Sequence, residues 1–528
     1  MAADVRRVSA SALRAMLLDG AELALLDVRE ERIFSESHLL FARSVPMSRL
    51  ELRILTLVPR KTTRIVLVDD GDALAERAAR VLREGGYSDV AILDGGNAAW
   101  AAAGFELFSG VNVPSKAFGE FVEHESGTPS ISAQELHDLL QSGTDMVVLD
   151  SRPYDEYSRV SIPTGVNVPG AELVLRVHDM APKPETLVVV NCAGRTRSII
   201  GAQSLINAGV PNNVVALRNG TMGWSLAGYT PDSGKDRGAP PVSHGALAWA
   251  KSAAEGVAAK LAIKSIDAAE LEQLRADEGR TTYVFDVRDP AEYAAGHVAG
   301  ALSAPGGQLV QATDQYAGTL SARIVCVDDK EARAMMTASW LTQMGWREVY
   351  VLVAAGDEKG SPARPVLGQA PADAAIDAAA LFELLQRGEA TTIDLSLSRD
   401  YREAHIPGAW FAIRSRLRQA LDRIKPIGTV VLTSEDGVLA GLAVADARAL
   451  TTNPVKYLKG GNAAWHDAGS PLTNEDPRMA DEPVDAWLKP YERPEGARQA
   501  MADYLAWETD LLPRIARDGC ARFAAFPR

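Results

Sequence analysis

The chain has 528 residues, 47% of them apolar and 23% charged, with 43 Gly and 28 Pro. That is too long for one hydrophobic core and points to roughly three to five ordinary globular domains. The net charge of −14 argues against a general nucleic-acid or anionic-membrane binder, and no run of about 18 apolar residues is present to suggest a membrane span.

The opening "MAADVRRVSASALRAMLLDG" carries an early acid and a periodic apolar pattern where a secretory signal would show an unbroken apolar core. Only three cysteines occur, Cys192, Cys326 and Cys520, far apart and odd in number. They form no disulfide framework and no zinc motif, so neither metal nor cofactor is expected, and the cytoplasm is the expected compartment.

An apolar strand ending in Asp then recurs four times: "LALLDVRE" at Asp27, "MVVLDSRP" at Asp150, "YVFDVRDP" at Asp286 and "TTIDLSLS" at Asp394. About ten residues later stand Ser37-His38, Ser161-Ile162, Gly296-His297 and Ala404-His405. A closing block, "LDGGNAAWAAAG", "LRNGTMGWSLAG" or "LKGGNAAWHDAG", follows in three copies, and the Asp-to-Trp separation is nearly constant (Asp27 to Trp100, Asp150 to Trp224, Asp394 to Trp465). The third copy has "VLVAAGDEKG" there instead. Continuous apolar strands alternating with helical patterns predict α/β domains with parallel sheets covered on both faces. Ser132 and Asp377 are the expected helix N-caps, with Gly143 and Gly388 as stops.

The expected domains are 1–108, 127–232, 262–357 and 373–474, followed by a helical tail over 475–528. Pro/Gly/Ser-rich linkers separate them at about 109–128, 230–262 (ending in an Ala-rich helix) and 357–373.

Only the second copy has a cysteine where a strand ends and a tight loop begins: "LVVVNCAGRTRSIIGAQSLINAG" reads as strand, tight loop and helix. Loop and first-turn amides there lack intrahelical partners and favour an anion, as does the helix dipole. Arg195 and Arg197 add positive charge, so Cys192 has the setting of a nucleophilic thiolate. Four residues separate Cys192 from Arg197, against five in the cysteine loops that cradle phosphate, which suits a smaller guest such as one extra sulfur. At the matching place copy one offers Asp70, on a loop read as about two residues shorter, copy three Asp329, and copy four Ser434 or Glu435. None can carry sulfur. Cys326 reads as core, and Cys520 as a tail residue without a catalytic part.

The D-x-R strand ends, "GHVAGA", "AHIPGA", the six-residue "CAGRTR" loop and the GG-N-x-x-W block together resemble the rhodanese family of sulfurtransferases, over about residues 1–474. The resemblance implies four tandem rhodanese-like domains of which one is catalytic, and an enzyme moving sulfane sulfur from a small donor such as thiosulfate or 3-mercaptopyruvate, through a Cys192 persulfide, to a thiol or cyanide. It implies that the loop from Ala193 through Gly194, Arg195, Thr196 and Arg197 to Ser198 holds the persulfide, and that Arg197, and secondarily Arg195, orients the donor. Arg152 is a candidate substrate ligand whose bland alternative is a salt bridge to Asp150. The copies' histidines and Trp100, Trp224 and Trp465 read as framework, and Ser161 replaces the histidine in copy two. Competing readings are a non-catalytic persulfide or redox sensor with docking domains, and a cysteine phosphatase. Copy one or copy three is expected to close over the loop, and an inactive copy or the tail leaves room for a homodimer.

Overall fold

A computed structural model describes residues 5–527. Two compact units are present: one holds copies one and four (mainly 24–111 and 364–487), the other copies two and three with the tail (mainly 112–363 and from 488 onward).

Each copy forms a parallel sheet whose strands, counted along its own chain, lie in the order 1-5-4-2-3. In copy two these are Ser130–Ile131, Val214–Leu217, Leu187–Asn191, Met146–Asp150 and Val166–Asn167. The central strands are buried on both faces, which is why their sequences are unbroken runs of Val, Leu and Ile rather than alternating. Helices cover both faces, as the α/β reading expects. The local signals hold as well. Ser132 forms a capping box with Glu135, Asp377 accepts from the amide of Ala380, and Gly143 and Gly388 turn left-handed at helix ends.

The four cores are not all separate. Copies two and three share one apolar core that runs from Leu149 and Val190 through Ala250, Ala254 and Val257 to Phe285 and Ile324. The Ala-rich helix His244–Lys260 is the element between them, and its small buried residues allow that close approach. Copies one and four keep separate cores and meet through polar contacts, including Arg414 on Glu51 at 2.8 Å and Ser415 on Glu30 at 2.8 Å, and through Leu52 and Ile33 of copy one, which pack on the core of copy four.

The stretch read as the first linker is largely a helix, Val113–Ser126, with Val113, Lys116, Ala117, Phe118 and Val122 buried. The tail contains the helices Ala497–Thr509 and Leu511–Asp518, as the sequence suggests. Among the described residues no helix is long and apolar enough to cross a membrane, and no group of His, Cys, Asp and Glu has the arrangement of a metal site.

Candidate active site around Cys192

Cys192 follows the central strand of copy two, and the helix Thr196–Asn207 starts four residues on. This is the carboxyl edge of a parallel sheet, where open α/β folds bind ligands. The thiol is 2% exposed, and its Sγ lies 3.5 Å from the Ser198 hydroxyl, which donates to the Arg195 carbonyl at 2.8 Å.

Strand register fixes what stands at this point in the other copies. Asp150 pairs with Asn191, Asp27 with Val68, Asp286 with Val327 and Asp394 with Thr433. The counterparts of Cys192 are therefore Asp69, Asp328 and Ser434. Asp70 and Asp329, expected from the sequence, are each one residue too late, because each run holds two consecutive acids and the register makes the first of them the counterpart. The loop of copy one is not shortened either.

The carboxylates at this position fill the ring of amides. Asp328 accepts from the backbone N–H of Lys330 (3.1 Å), Arg333 (2.9 Å) and Ala334 (3.4 Å). Asp69 accepts from Gly71 (3.0 Å) and Ala75 (2.9 Å), and the Ser434 hydroxyl from Ala440 (3.3 Å). The same offsets from Cys192 are the amides of Gly194, Arg197 and Ser198. The loop architecture thus holds a carboxylate in two of the copies that lack a cysteine at this position.

The three arginines of the site differ in what engages them. Arg152, 2% exposed, donates to both oxygens of Asp150 (2.8 and 2.7 Å) and to the Val160 carbonyl (2.6 Å). Arg29 with Asp27 and Arg288 with Asp286 repeat this pair in copies without a loop cysteine. Arg195 turns away to Glu120 (2.7 and 2.8 Å), Glu123 and Asn219 (3.3 Å). Arg197 pairs with Glu156 (2.8 Å) and reaches Gln308 of copy three (3.2 Å). Burial works to raise the Glu156 carboxyl, but Arg197, with Lys489 and Arg152 behind it, holds it well below the usual range.

Copy three repeats that last arrangement. Arg333, at the offset of Arg197, pairs with Glu292 and with Glu172 of copy two (2.7 Å), and in addition clamps Asp328 through Nε (3.0 Å) and Nη2 (2.7 Å).

The closing block also acquires a reason. Gly220 has φ +52°, and a Cβ there would lie 2.3 Å from the Cys192 carbonyl; at Gly96 and Gly461 it would lie 2.0 Å from the carbonyls of Asp69 and Ser434. Only glycine lets the helix N-terminus dock on the strand end. Copies two and four exchange partners across this joint: Asn191 and Thr221 in one, Thr433 and Asn462 in the other, each placing an amide 2.8 Å from the strand's aspartate. Trp100, Trp224 and Trp465 each donate to a carbonyl six residues on, and His297 and His405 bond tyrosine carbonyls four residues back. All are framework contacts.

What covers the loop differs in part from expectation. Copy three contributes Gln308, but the main cover comes from the linker helix Val113–Ser126 and the tail helix Ala497–Thr509. A Cβ on Gly194 would meet Met222 Cε (2.9 Å), Glu508 Oε2 (3.1 Å) and Tyr504 Cε1 (3.5 Å). Lys116 donates to the Tyr504 hydroxyl, which donates to Glu508 Oε1 (3.0 Å). Burial pushes the Lys116 ammonium down against the pull of Glu508, and burial together with Glu508 pushes the Tyr504 phenol well up. Sequence reading passed over these three residues because it treated their segments as linker and tail; the helical spacing of Val113, Ala117, Phe118 and Val122 was the available signal.

The family model of the rhodanese-like domain matches residues 9–103, 132–227, 267–355 and 377–468. The chain belongs to the rhodanese family. A crystal structure of a thiosulfate sulfurtransferase from Pseudomonas aeruginosa is 47% identical, covering 99% of this chain and 100% of its own, with a TM-score of 0.97. The Alr3790 protein from Anabaena sp. is 28% identical over 20% of this chain and 93% of its own, with a TM-score of 0.19. An HTH-type transcriptional regulator of Mycobacterium tuberculosis is 30% identical over 121 residues, 22% of this chain and 50% of that protein, so the chain matches half the length of that curated relative.

Proposed function

We propose that the chain is a rhodanese-type sulfurtransferase working from copy two. Cys192 takes the outer sulfur of a donor such as thiosulfate, and the resulting persulfide hands it to a thiol or to cyanide. The observation that carries this reading is the register match between Cys192 and Asp328. In copy three an anion sits among three loop amides and is gripped by Arg333. Copy two has a thiol at that point, and Arg197 at the offset of Arg333.

In this mechanism the amides of Gly194, Arg197 and Ser198 hold the persulfide's negative charge, and that stabilisation is available without reorganisation. The thiolate attacks the outer sulfur of the donor; the donor's S–S bond breaks and its electron pair leaves with the sulfite. Arg197 swings from sharing Glu156 toward the anionic donor, as Arg333 serves Glu292 and Asp328 together. Arg195 and Arg152 are positioning residues here, since their donors are committed to Glu120 and Asp150. Copies one, three and four are silent, for want of a cysteine at the position of Cys192.

Intact mass of the chain after incubation with thiosulfate tests the reading. A gain of one sulfur, lost in Cys192→Ser, is the expected result. Sulfur on another cysteine, or none while an aryl phosphate is hydrolysed, overturns it.

A further inference from the structure

Glu508 is 1% exposed and sits on the tail helix against the cysteine loop. Its two oxygens are treated differently. Oε1 accepts from the Tyr504 hydroxyl (3.0 Å) and the Thr196 hydroxyl (3.3 Å) and lies 3.7 Å from the Lys116 ammonium. Oε2 has no hydrogen-bond partner among the described residues, and it is the atom 3.1 Å from a Cβ placed on Gly194. Gly194 supplies one of the amides equivalent to those that hold Asp328. A buried carboxylate oxygen without a donor costs free energy, and the three groups at Oε1, from three elements, hold the carboxylate in place. The Lys116 side chain, 6% exposed, is spanned by the rings of Tyr504 (4.9 Å) and Trp507 (6.0 Å), so the clamp is itself held.

Resting on the sulfurtransferase reading, we propose that Glu508 is the base for the second half-reaction, taking the proton of the acceptor thiol. The acceptor's S–H bond breaks and the proton goes to Oε2. The acceptor thiolate attacks the outer sulfur of the Cys192 persulfide; the S–S bond to Cys192 breaks and its electron pair returns to Sγ as thiolate. The proton on Oε2 then passes to the product, a neutral persulfide of the acceptor, and Glu508 is restored. The tail is thereby part of the catalytic centre, and the acceptor class is a small protonated thiol.

The test compares acceptors on the full chain already loaded with one sulfur. Glutathione brings a proton; sulfite at mildly alkaline pH brings none. Glu508→Gln should slow transfer to glutathione about 100-fold more than transfer to sulfite, the range of lost general-base catalysis. Equal slowing with both acceptors, or no slowing with either, overturns the inference while leaving the sulfurtransferase reading intact. Failure to load sulfur on the unmodified chain instead overturns that underlying reading. Should Glu508→Gln not fold, Tyr504→Phe, which removes one bond holding Oε1, should shift the same ratio by a smaller factor, and an unshifted ratio is equally fatal.

Discussion

Replacing Cys192 by Asp converts the loop of copy two into the form seen in copy three. Three amides, those of Gly194, Arg197 and Ser198, would then face the carboxylate, as those of Lys330, Arg333 and Ala334 face Asp328. Hydrogen bonds to a charged group contribute about 1.5–3 kcal/mol each. Together they offset the several kcal/mol that burying an ion costs. The expected net change against Cys192→Ala is within about 1 kcal/mol. A loop lacking that ring would leave a buried unpaired carboxylate and lose about 3–5 kcal/mol. Hydrogen exchange of the Leu187–Asn191 strand reads this locally, which matters in a multidomain chain without a single unfolding transition. Arg197→Gln added to Cys192→Asp should cost about 1.5–3 kcal/mol more than when added to Cys192→Ala, since Arg333 bonds Asp328 at 2.7 Å. Strand protection falling by 3 kcal/mol in Cys192→Asp, or a vanishing coupling to Arg197, would refute the anion ring.

Gly220→Ala forces a Cβ to within 2.3 Å of the Cys192 carbonyl from a left-handed backbone, so sulfur transfer should be lost and copy two destabilised by at least about 2 kcal/mol, with protection in copies one and four unchanged. Glu30, buried between Ser48 and Ser415 and facing Asp485 and Arg416, is pushed up by burial to about 7 from 4.5. It binds its proton more tightly in the folded state, so its contribution is fully present below about pH 4.5 and is lost as pH rises through about 7; Glu30→Gln should remove a pH dependence of about 3 kcal/mol in the unit of copies one and four, read by urea unfolding across that window. Burial pushes the Cys520 thiol up to about 12 and that of Cys326 higher still, so iodoacetamide at pH 8 should leave both unmodified in the native chain, as peptide mass mapping would show.

The fold was legible because the strands are buried on both faces and announce themselves as apolar runs with a repeated spacing. The cysteine loop was legible because a Cys-Ala-Gly-Arg stretch between a strand and a helix leaves few other uses for its amides. The counterparts of Cys192 were misplaced by one residue for a physical reason. "LVDDGD" and "CVDDKE" each hold two consecutive acids, and only register across the sheet tells which one enters the amide ring. Arg195 shows the opposite failure. Its position on the loop is correct, but its partners Glu120 and Glu123 come from a helix that the sequence presents as linker. The spacing of Val113, Ala117, Phe118 and Val122 could have placed Lys116 on a packed helix, but its meeting with Tyr504 and Glu508 was out of reach, because residues 388 or more apart in the chain meet only through tertiary packing.

Keeping three scaffolds without a loop cysteine follows from how the copies are paired. Arg197 of copy two reaches Gln308 of copy three, while Arg333 of copy three reaches Glu172 of copy two. These are equivalent positions exchanged between two related domains, so each loop helix is anchored partly by its neighbour. A silent copy must therefore keep its loop folded for the active one to keep its own. An anion at the ring's centre does that: Asp328 occupies the amides continuously, whereas copy two has Cys192 there, which on the proposed mechanism brings an anion only as thiolate or persulfide. The silent loop is then a structural brace with a resident anion in place of a transient one. Asp328→Ala should accordingly loosen the Arg333–Glu172 anchor and slow sulfur transfer at Cys192, although the substituted residue belongs to another copy. Asp328→Asn, which still accepts from the amides but gives Arg333 no charge, should fall between the two. Unchanged transfer in Asp328→Ala, with the chain folded, would show that the copies are energetically independent and that this account of their pairing is wrong.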